Sequence, residues 1–161
     1  MNEKDNLINT WEREFQTTLK CLKNFPAERE NYKPHEISKS AKELGWLFVS
    51  EEQTFVNGII PGKIDFSNIA KAPSSMKEVI HEFEKAHKET IEKLKTLNDE
   101  DFNAMMEFPV APKKMMDFRK IDLMWMFLMD SIHHRGQFTV YLRLVGAKVP
   151  SIYGPSADEP W

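Results

Sequence analysis

Two side chains that can share a proton or a metal ion stand four residues apart in the C-terminal third of the chain. Asp130 and His134 follow a dense apolar run at residues 123–129 and precede a half-buried pattern at residues 138–144. A helix that is apolar on nearly every side lies inside a fold, where polar groups cost free energy unless they are paired or ligated. Residues at this spacing share one helix face, so the carboxylate and the imidazole can together hold one divalent cation. The alternative is a simple hydrogen bond between the two side chains within a buried helix.

An earlier amphipathic stretch offers a carboxylate at a position that its pattern assigns to the core. Glutamate side chains are long enough to reach a neighbouring helix, so Glu51 is a candidate third ligand for a metal on Asp130 and His134. Two alternatives stay open, because Glu52 could occupy the inner face instead, or Glu51 could lie at the boundary and extend to solvent. The inner stripe of this helix, read at three- and four-residue steps, is Ile37, Ala41, Leu44, Phe48, Glu51 and Phe55.

The C-terminal motifs resemble those of the DinB/YfiT-like family. The resemblance covers the whole chain and is sharpest from about residue 117 onward and around residues 32–52. It implies a small bacterial all-α protein, a four-helix bundle in up-down-down-up order with a long crossover between helices 2 and 3. The residues that carry it are His134-Arg135-Gly136-Gln137, Tyr141-Leu142-Arg143, Gly146, Val149-Pro150 and Tyr153-Gly154-Pro155.

The resemblance also implies a set of metal ligands, and this sequence departs from it. The family pattern places one histidine on the second helix and a His-x-x-x-His pair on the last. His134 matches the second member of that pair, whereas Asp130 stands where the first would be. The second-helix position falls at Trp46 or Leu47, and neither side chain binds metal. Two of the three expected ligands are therefore replaced.

Three residues are candidates for the missing second-helix ligand, and one of them, Glu52, is introduced above. Glu51 lies one turn after Leu47, and His87 lies on the inner stripe of the third predicted helix. A histidine bonded to water or to a carboxylate at the core boundary is the simpler interpretation of His87. The sequence leaves open which of Glu51, Glu52 and His87 takes the position.

The resemblance implies a metal-dependent enzyme with an open site in the bundle core, of the thiol-cofactor transferase, isomerase or hydrolase type. Oxygen-rich ligation by Asp130, His134 and Glu51 accommodates manganese, iron or nickel as well as zinc. Gln137 and Tyr141 lie three and seven residues beyond His134, on the same face, and are expected to line the substrate pocket as hydrogen-bonding groups. The alternative is a non-catalytic bundle that has lost the metal and acts as a binding or oligomeric module. No sequence feature identifies the small-molecule substrate.

Composition limits the remaining classes of function. The 161 residues fit one domain, 1–161, and the net charge of −3 argues against a nucleic-acid partner, which would require a basic face. Cys21 is the only cysteine, so no intrachain disulfide forms. The charged start lacks a signal-peptide apolar region, and no apolar run reaches the ~18 residues of a membrane span, so we expect a cytoplasmic protein without a membrane partner.

A homodimer is expected from the resemblance and from Trp11, Phe15 and Trp46, whose apolar surface exceeds what one core should bury.

Local signals predict the secondary-structure elements. Helices are expected at residues 3–24, 39–57 and 75–96, with a last helix that begins between residues 117 and 121. A connection at residues 59–73 is long enough to run the length of a bundle. Ser38 or Ser40 and then Ser74 or Ser75 are candidate N-caps, with Glu43 completing a capping box with Ser40. Residues 98–101 look like a turn, and residues 107–112 and 113–118 are expected to pair as a short hairpin. The tail at residues 149–155 is expected to lie extended against the bundle, where the apolar side chains of Tyr153 and Trp161 pin it.

Overall fold

The computed structural model of the chain describes residues 2–65 and 70–160. Within them, four long helices pack together, and a short helix and a two-stranded hairpin precede the last of the four. A short 3-10 helix at Ala27–Arg29 and a π-helical turn at Phe55–Ile59 complete the regular structure. In chain order the elements are α1 Glu3–Lys23, α2 Ala41–Thr54, α3 Met76–Thr96, α4 Asp99–Asn103, β1 Met105–Ala111, β2 Lys114–Arg119 and α5 Lys120–Leu144.

The first three long helices, α1, α2 and α3, begin where a capping side chain satisfies a free backbone N–H group. Ser40 accepts a hydrogen bond from the Glu43 backbone while the Glu43 carboxylate accepts one from the Ser40 backbone, which confirms the predicted capping box. Ser75 caps α3 in the same way through the Glu78 amide. The end of α2 widens into the π-helical turn, where Gly58 is required because a Cβ there would lie 2.8 Å from Ile64 Cγ1.

The helix pairs in contact are α1 with α3, α1 with α5, α2 with α3 and α2 with α5. Lys23 at the end of α1 meets Glu84 early in α3, across 2.7 Å, whereas Lys4 at the start of α1 donates to the Leu97 carbonyl just after α3. Gly45, in the first half of α2, lies beside Val79 in the first turn of α3. In these contacts α1 runs antiparallel to α3, and α2 runs parallel to α3, as the up-down-down-up order requires. The complete order stays a prediction.

The aromatic side chains expected at a dimer surface are buried within this chain. Trp11, Phe15 and Trp46 are 3%, 8% and 8% exposed, and the Trp46 indole N–H donates to the Ala70 carbonyl. The argument for a homodimer from their surface is therefore wrong, because the bundle covers them with α3 and with the segment that follows α2. The homodimer itself stays a prediction that rests on the family resemblance.

The segment between α3 and α5 confirms one prediction and corrects another. Strands β1 and β2 pair antiparallel, with Phe108 opposite Met116 and a register irregularity between Pro109 and Ala111. Residues 98–101, expected as a turn, instead start the short helix α4. The reason is a second capping box, in which Asn98 and Asp101 each accept a hydrogen bond from the other's backbone N–H.

A buried arginine ties the tail to the bundle. Arg135 is 2% exposed and donates to Glu14 Oε2 at 2.7 Å and to the Tyr153 hydroxyl at 2.5 Å. The same guanidinium also donates to the Glu14 carbonyl at 3.2 Å and to Thr18 Oγ1 at 3.3 Å. Burial acts to raise the pKa of Glu14, but the hydrogen bonds from Tyr153 and Arg135 outweigh it and hold that pKa below its ordinary value. Tyr153 therefore anchors the tail through its hydroxyl and not, as expected, by apolar burial, since it is 68% exposed. Trp161 lies outside the described residues.

The single cysteine is a packing residue. Cys21 is fully buried, and burial raises the pKa of its thiol to about 11, so the reactive thiolate is suppressed. Among the described residues, no helix combines the length and the apolar content that crossing a lipid bilayer requires.

Candidate metal centre

The structure brings together the three residues proposed as ligands from the sequence. Glu51 projects from the last turns of α2 toward α5, and His134 faces it one turn after Asp130. His134 Nδ1 lies 3.0 Å from Glu51 Oε1 and 3.8 Å from Asp130 Oδ2. One ligand atom from each residue can be chosen so that all three lie within 4.8 Å of one another. This cluster has the imidazole and carboxylate donors that zinc, nickel, manganese and iron accept.

The three side chains differ in their access to solvent. The side chain of Glu51 is 7% exposed and that of His134 is 18% exposed, whereas the side chain of Asp130 is 54% exposed. The expectation that all three point into the bundle interior is therefore wrong for Asp130. It shares a helix face with His134 but lies at the solvent-exposed edge of that face. The cluster is buried on one side and open on the other.

The electrostatics of the cluster favour proton uptake. Burial raises the pKa of the Glu51 carboxyl, and this effect exceeds the opposing effect of the hydrogen bond with His134. The hydrogen bond to Glu51 raises the pKa of His134, against the opposing effect of burial, and the charges of Glu51 and Asp130 act in the same upward direction. Both shifts favour the protonated forms of the two groups, so a metal ion has to displace protons when it binds here.

One oxygen of the cluster lacks a protein partner. Glu51 Oε2 is buried and accepts no hydrogen bond from any described residue. A buried carboxylate oxygen without a partner is costly, and coordination of a cation is one way to remove that cost. The donor set and this oxygen therefore fit a divalent metal ion.

A cavity of about 420 Å³ opens beside the cluster. Leu47 of α2 and Phe127 of α5 contribute to its apolar wall. Polar residues recur at helical spacing along α2 and the π-helical turn, a pattern that is visible in the sequence: Ser50, Gln53, Thr54 and Asn57. The full lining is Leu47, Ser50, Glu51, Gln53, Thr54, Asn57, Gly58, Ile64, Asp65, Ala70, Phe127, Asp130 and His134.

Gln137 and Tyr141 do not line this cavity, which corrects the placement expected for them. Gln137 is exposed, and its side-chain amide donates to His133 Nε2 at 2.8 Å. Tyr141 is buried, and its hydroxyl donates to the Lys39 carbonyl at 3.0 Å. Gln137 is turned about 60° away from His134 around the helix, whereas Tyr141 keeps nearly the same direction but lies two turns, about 10 Å, farther along α5. A role for them in substrate binding stays a prediction.

Glu52 and His87 form a separate buried pair on the other side of α2. Glu52 Oε1 accepts hydrogen bonds from His87 Nδ1 at 2.9 Å and from the Trp11 indole at 2.8 Å. The His87 ring stacks on Phe15, with ring centres 3.6 Å apart. The simpler interpretation of His87, a histidine bonded to a carboxylate, is the one observed. Of the three candidates for the missing ligand, Glu51 is therefore the one that faces Asp130 and His134. Glu52 and His87 bond to each other instead.

Sequence reasoning missed the residues that hold α5 in place next to the cluster. Arg135, adjacent to His134 in sequence, was recognised only as part of a motif, and Glu14 was not singled out. The sequence does contain a signal for this pair, since Glu14 precedes Phe15 on the apolar side of α1. A carboxylate buried at that position requires a buried partner of opposite charge.

The comparison with known proteins assigns the chain to a family. A sequence model of the DinB family matches residues 1–160. The chain belongs to the DinB family. A relative among curated proteins is the uncharacterized protein YrdA of Bacillus subtilis strain 168, which is 26% identical over an alignment that covers 96% of this chain and 90% of YrdA.

Solved structures of DinB-like proteins share the fold. One from Bacillus cereus ATCC 10987 is 21% identical with a TM-score of 0.77, over 92% of this chain and 97% of the other. YjoA from Bacillus subtilis is 18% identical with a TM-score of 0.72, over the same shares of the two chains. YfiT from Bacillus subtilis, described as a probable metal-dependent hydrolase with an unusual four-helix bundle topology, is 12% identical with a TM-score of 0.66, over 90% of this chain and 89% of YfiT.

Proposed function

We propose that this DinB-family protein is a metal-dependent enzyme of the hydrolase or thiol-cofactor transferase type. The fold we propose is a DinB-like bundle in up-down-down-up order, with a divalent ion held by Glu51, Asp130 and His134. The observation that carries the proposal is the unpartnered oxygen of buried Glu51, set within reach of an imidazole and a second carboxylate at the wall of a cavity. The description of YfiT as a probable metal-dependent hydrolase supports the same class of chemistry.

In this proposal, one group of residues binds the metal ion and a second group binds the substrate. His134 supplies nitrogen, and the two carboxylates supply oxygen donors that also offset the charge of the ion. A divalent ion held there supplies Lewis-acid chemistry to a group in the cavity. The hydroxyl and amide groups of Ser50, Gln53 and Asn57 orient a polar substrate, and Phe127 shields one side from water.

A second candidate function rests on the hydrogen bond between His134 and Glu51. At 3.0 Å this bond already satisfies one oxygen of Glu51 and one nitrogen of His134 without any ion. In this alternative, the replacement of two family ligands marks a non-catalytic bundle, which acts as a binding or oligomeric module.

Elemental analysis of protein purified without added metal tests the proposal. We expect close to one equivalent of zinc, nickel, manganese or iron per chain in the wild type and less than about a tenth of that in Glu51→Gln, since a metal site requires its full set of ligands. Glu52→Gln is the matched control, because it changes the neighbouring residue with the same chemistry on the opposite side of α2. Equal and negligible metal contents in all three proteins would favour the non-catalytic alternative.

Metal binding is expected to weaken as the pH falls. A metal requires neutral imidazole, and the hydrogen bond to Glu51 raises the pKa of His134 above its ordinary value of about 6.5. The apparent affinity should therefore rise with pH through the neutral range and level off only above the raised pKa. Calorimetry in two buffers of different ionisation enthalpy should detect a release of protons on metal binding near pH 7.

The control for this measurement is His133→Gln, which removes the exposed neighbouring histidine. The metal-free protein should show the linked trend: the stability that His134 contributes is complete below its unfolded-state pKa and is lost as the pH rises through the folded-state pKa. A pH-independent affinity across pH 6–8 would contradict a role for His134 as ligand.

A further inference from the structure

The outward side of α5 carries much less charge than the outward side of α3. Nine of the eleven exposed residues of α3 are lysine or glutamate, whereas only Asp130 and Arg143 are charged among the nine exposed residues of α5. Both have partners in their own chain. Asp130 lies 3.8 Å from the His134 imidazole, and Arg143 lies 2.6 Å from the Asp158 carboxylate. A helix face that meets only water carries charged and polar residues, as α3 does, so this face of α5 is unlike a solvated one.

Four large apolar side chains form a row along that face. At 100° per residue, their directions around α5 fall within an arc of about 60°, and His133 lies in the same arc. The row is about 27 Å long. Single apolar side chains at a surface are normal, but a contiguous row of them marks an interaction site. The four are Met126, Met129, Val140 and Leu144, which are 37%, 60%, 55% and 52% exposed. Together with His133 they make up the α5 stripe.

A glycine borders the α5 stripe near its middle. Gly136 lies in the interior of α5, where glycine costs stability relative to alanine. A Cβ at Gly136 would meet no described atom of this chain within 4 Å. The helical Gly45, by contrast, is required because a Cβ there would lie 3.1 Å from Leu22 Cδ2. No contact within the described chain requires Gly136, whereas close approach of a second helix backbone would require it.

We propose that the α5 stripe is the contact surface between two copies of this chain, packed antiparallel through α5 with Gly136 near the crossing point. A two-fold interface uses the same patch on both copies, so the patch must be self-complementary. The α5 stripe meets this requirement because it is apolar toward both ends. A register centred between Gly136 and Gln137 places Met129 of one copy level with Leu144 of the other. A different partner protein would require no such match between the two halves.

The interface is small and separate from the candidate metal centre. A contact about 27 Å long and one helix wide lies at the low end of specific interfaces, which predicts a dissociation constant in the micromolar range. His134 points about 100° away from His133 around α5, so the inference does not depend on the metal. The α5 stripe gives the homodimer implied by the family resemblance a surface, although Trp11, Phe15 and Trp46 are buried.

Sedimentation velocity over a range of concentrations tests the surface. The wild-type chain should dimerise reversibly, and Val140→Glu should raise the dissociation constant at least about tenfold, because it buries a carboxylate without a partner in each copy. Ile37→Glu is the matched control, since Ile37 is 88% exposed ahead of α2, and it should leave the constant unchanged. A wild-type chain that stays monomeric at roughly 500 μM, or a dimer that Val140→Glu does not weaken, would overturn the inference.

The variant Gly136→Ala separates the glycine's role in the helix from its role between copies. In protein dilute enough to be monomeric, alanine should raise the melting temperature by about 1–4 °C, since it favours the helix. At higher concentration the same variant should dimerise about threefold or more weakly, because a methyl group on each copy obstructs the close approach. Dimerisation that is unchanged or tighter would contradict a crossing at Gly136.

Cross-linking tests the antiparallel arrangement. Met129→Cys protein carrying a heavy nitrogen isotope is mixed with unlabelled Leu144→Cys protein, and a short bismaleimide is added. Mass spectrometry should find cross-links mainly between unlike chains, because two copies of residue 129 lie about 22 Å apart along an antiparallel pair. The native Cys21 does not interfere, since it is buried and the pKa of its thiol is raised to about 11. Cross-links mainly between like chains, or no preference, would overturn the arrangement.

Discussion

Zinc or nickel is expected to raise the melting temperature of the wild-type protein by roughly 5–10 °C at about 100 times the dissociation constant. Ligand at that excess stabilises the folded state by about 2.7 kcal/mol, and each kcal/mol corresponds to roughly 2–4 °C for a chain of this size. His134→Ala removes the nitrogen donor of the cluster and should abolish the increase. Differential scanning calorimetry with zinc, nickel, manganese and iron(II), each against a chelator, measures both effects.

The control is His87→Ala, which deletes a histidine of similar burial that bonds to Glu52 rather than to Glu51. It should lower the baseline stability and keep the metal-dependent increase. A wild-type melting temperature that no metal changes would rule out the metal centre. An increase that survives in His134→Ala would place the ion elsewhere in the protein.

Arg135→Ala is expected to cost about 3 kcal/mol of folding free energy, because it leaves the buried carboxylate of Glu14 with only the exposed Arg13, 3.4 Å away, as a charged partner. It also removes the donor to the Tyr153 hydroxyl, which keeps its own hydrogen bond to Glu14 of α1. Chemical denaturation with urea measures the loss. Arg143→Ala is the matched control, because Arg143 lies on the same helix as Arg135 and pairs with Asp158 at the surface. Its loss should cost a small fraction of that amount.

A double replacement tests the physical reason for the loss. Glu14→Leu combined with Arg135→Met removes both charges together and should recover most of the stability, since the cost arises from the isolated charge. Tyr153→Phe removes a single hydrogen-bond donor and should cost about 1 kcal/mol. A double variant as unstable as Arg135→Ala would contradict this explanation and would assign the loss to packing of the arginine side chain.

The sequence by itself determined the elements that depend on neighbours along the chain. The long helices begin within two residues of the predicted limits, because Ser40 and Ser75 cap them through contacts three residues away. The hairpin was readable from the prolines that exclude a helix. The spacing of Asp130 and His134 sufficed to place them on one helix face.

Only the tertiary structure decided which way adjacent side chains face. Glu51 and Glu52 are separated by about 100° around α2, and each finds a histidine on a different helix, His134 on α5 or His87 on α3. Helical periodicity alone could not choose between them, because α2 contacts both α3 and α5 and is buried on both sides. The same applies to Trp11 and Trp46, whose burial depends on partners far away in sequence. Side-chain direction on a helix with two buried faces is set by the packing of its neighbours, and that information does not lie in any local stretch of the chain.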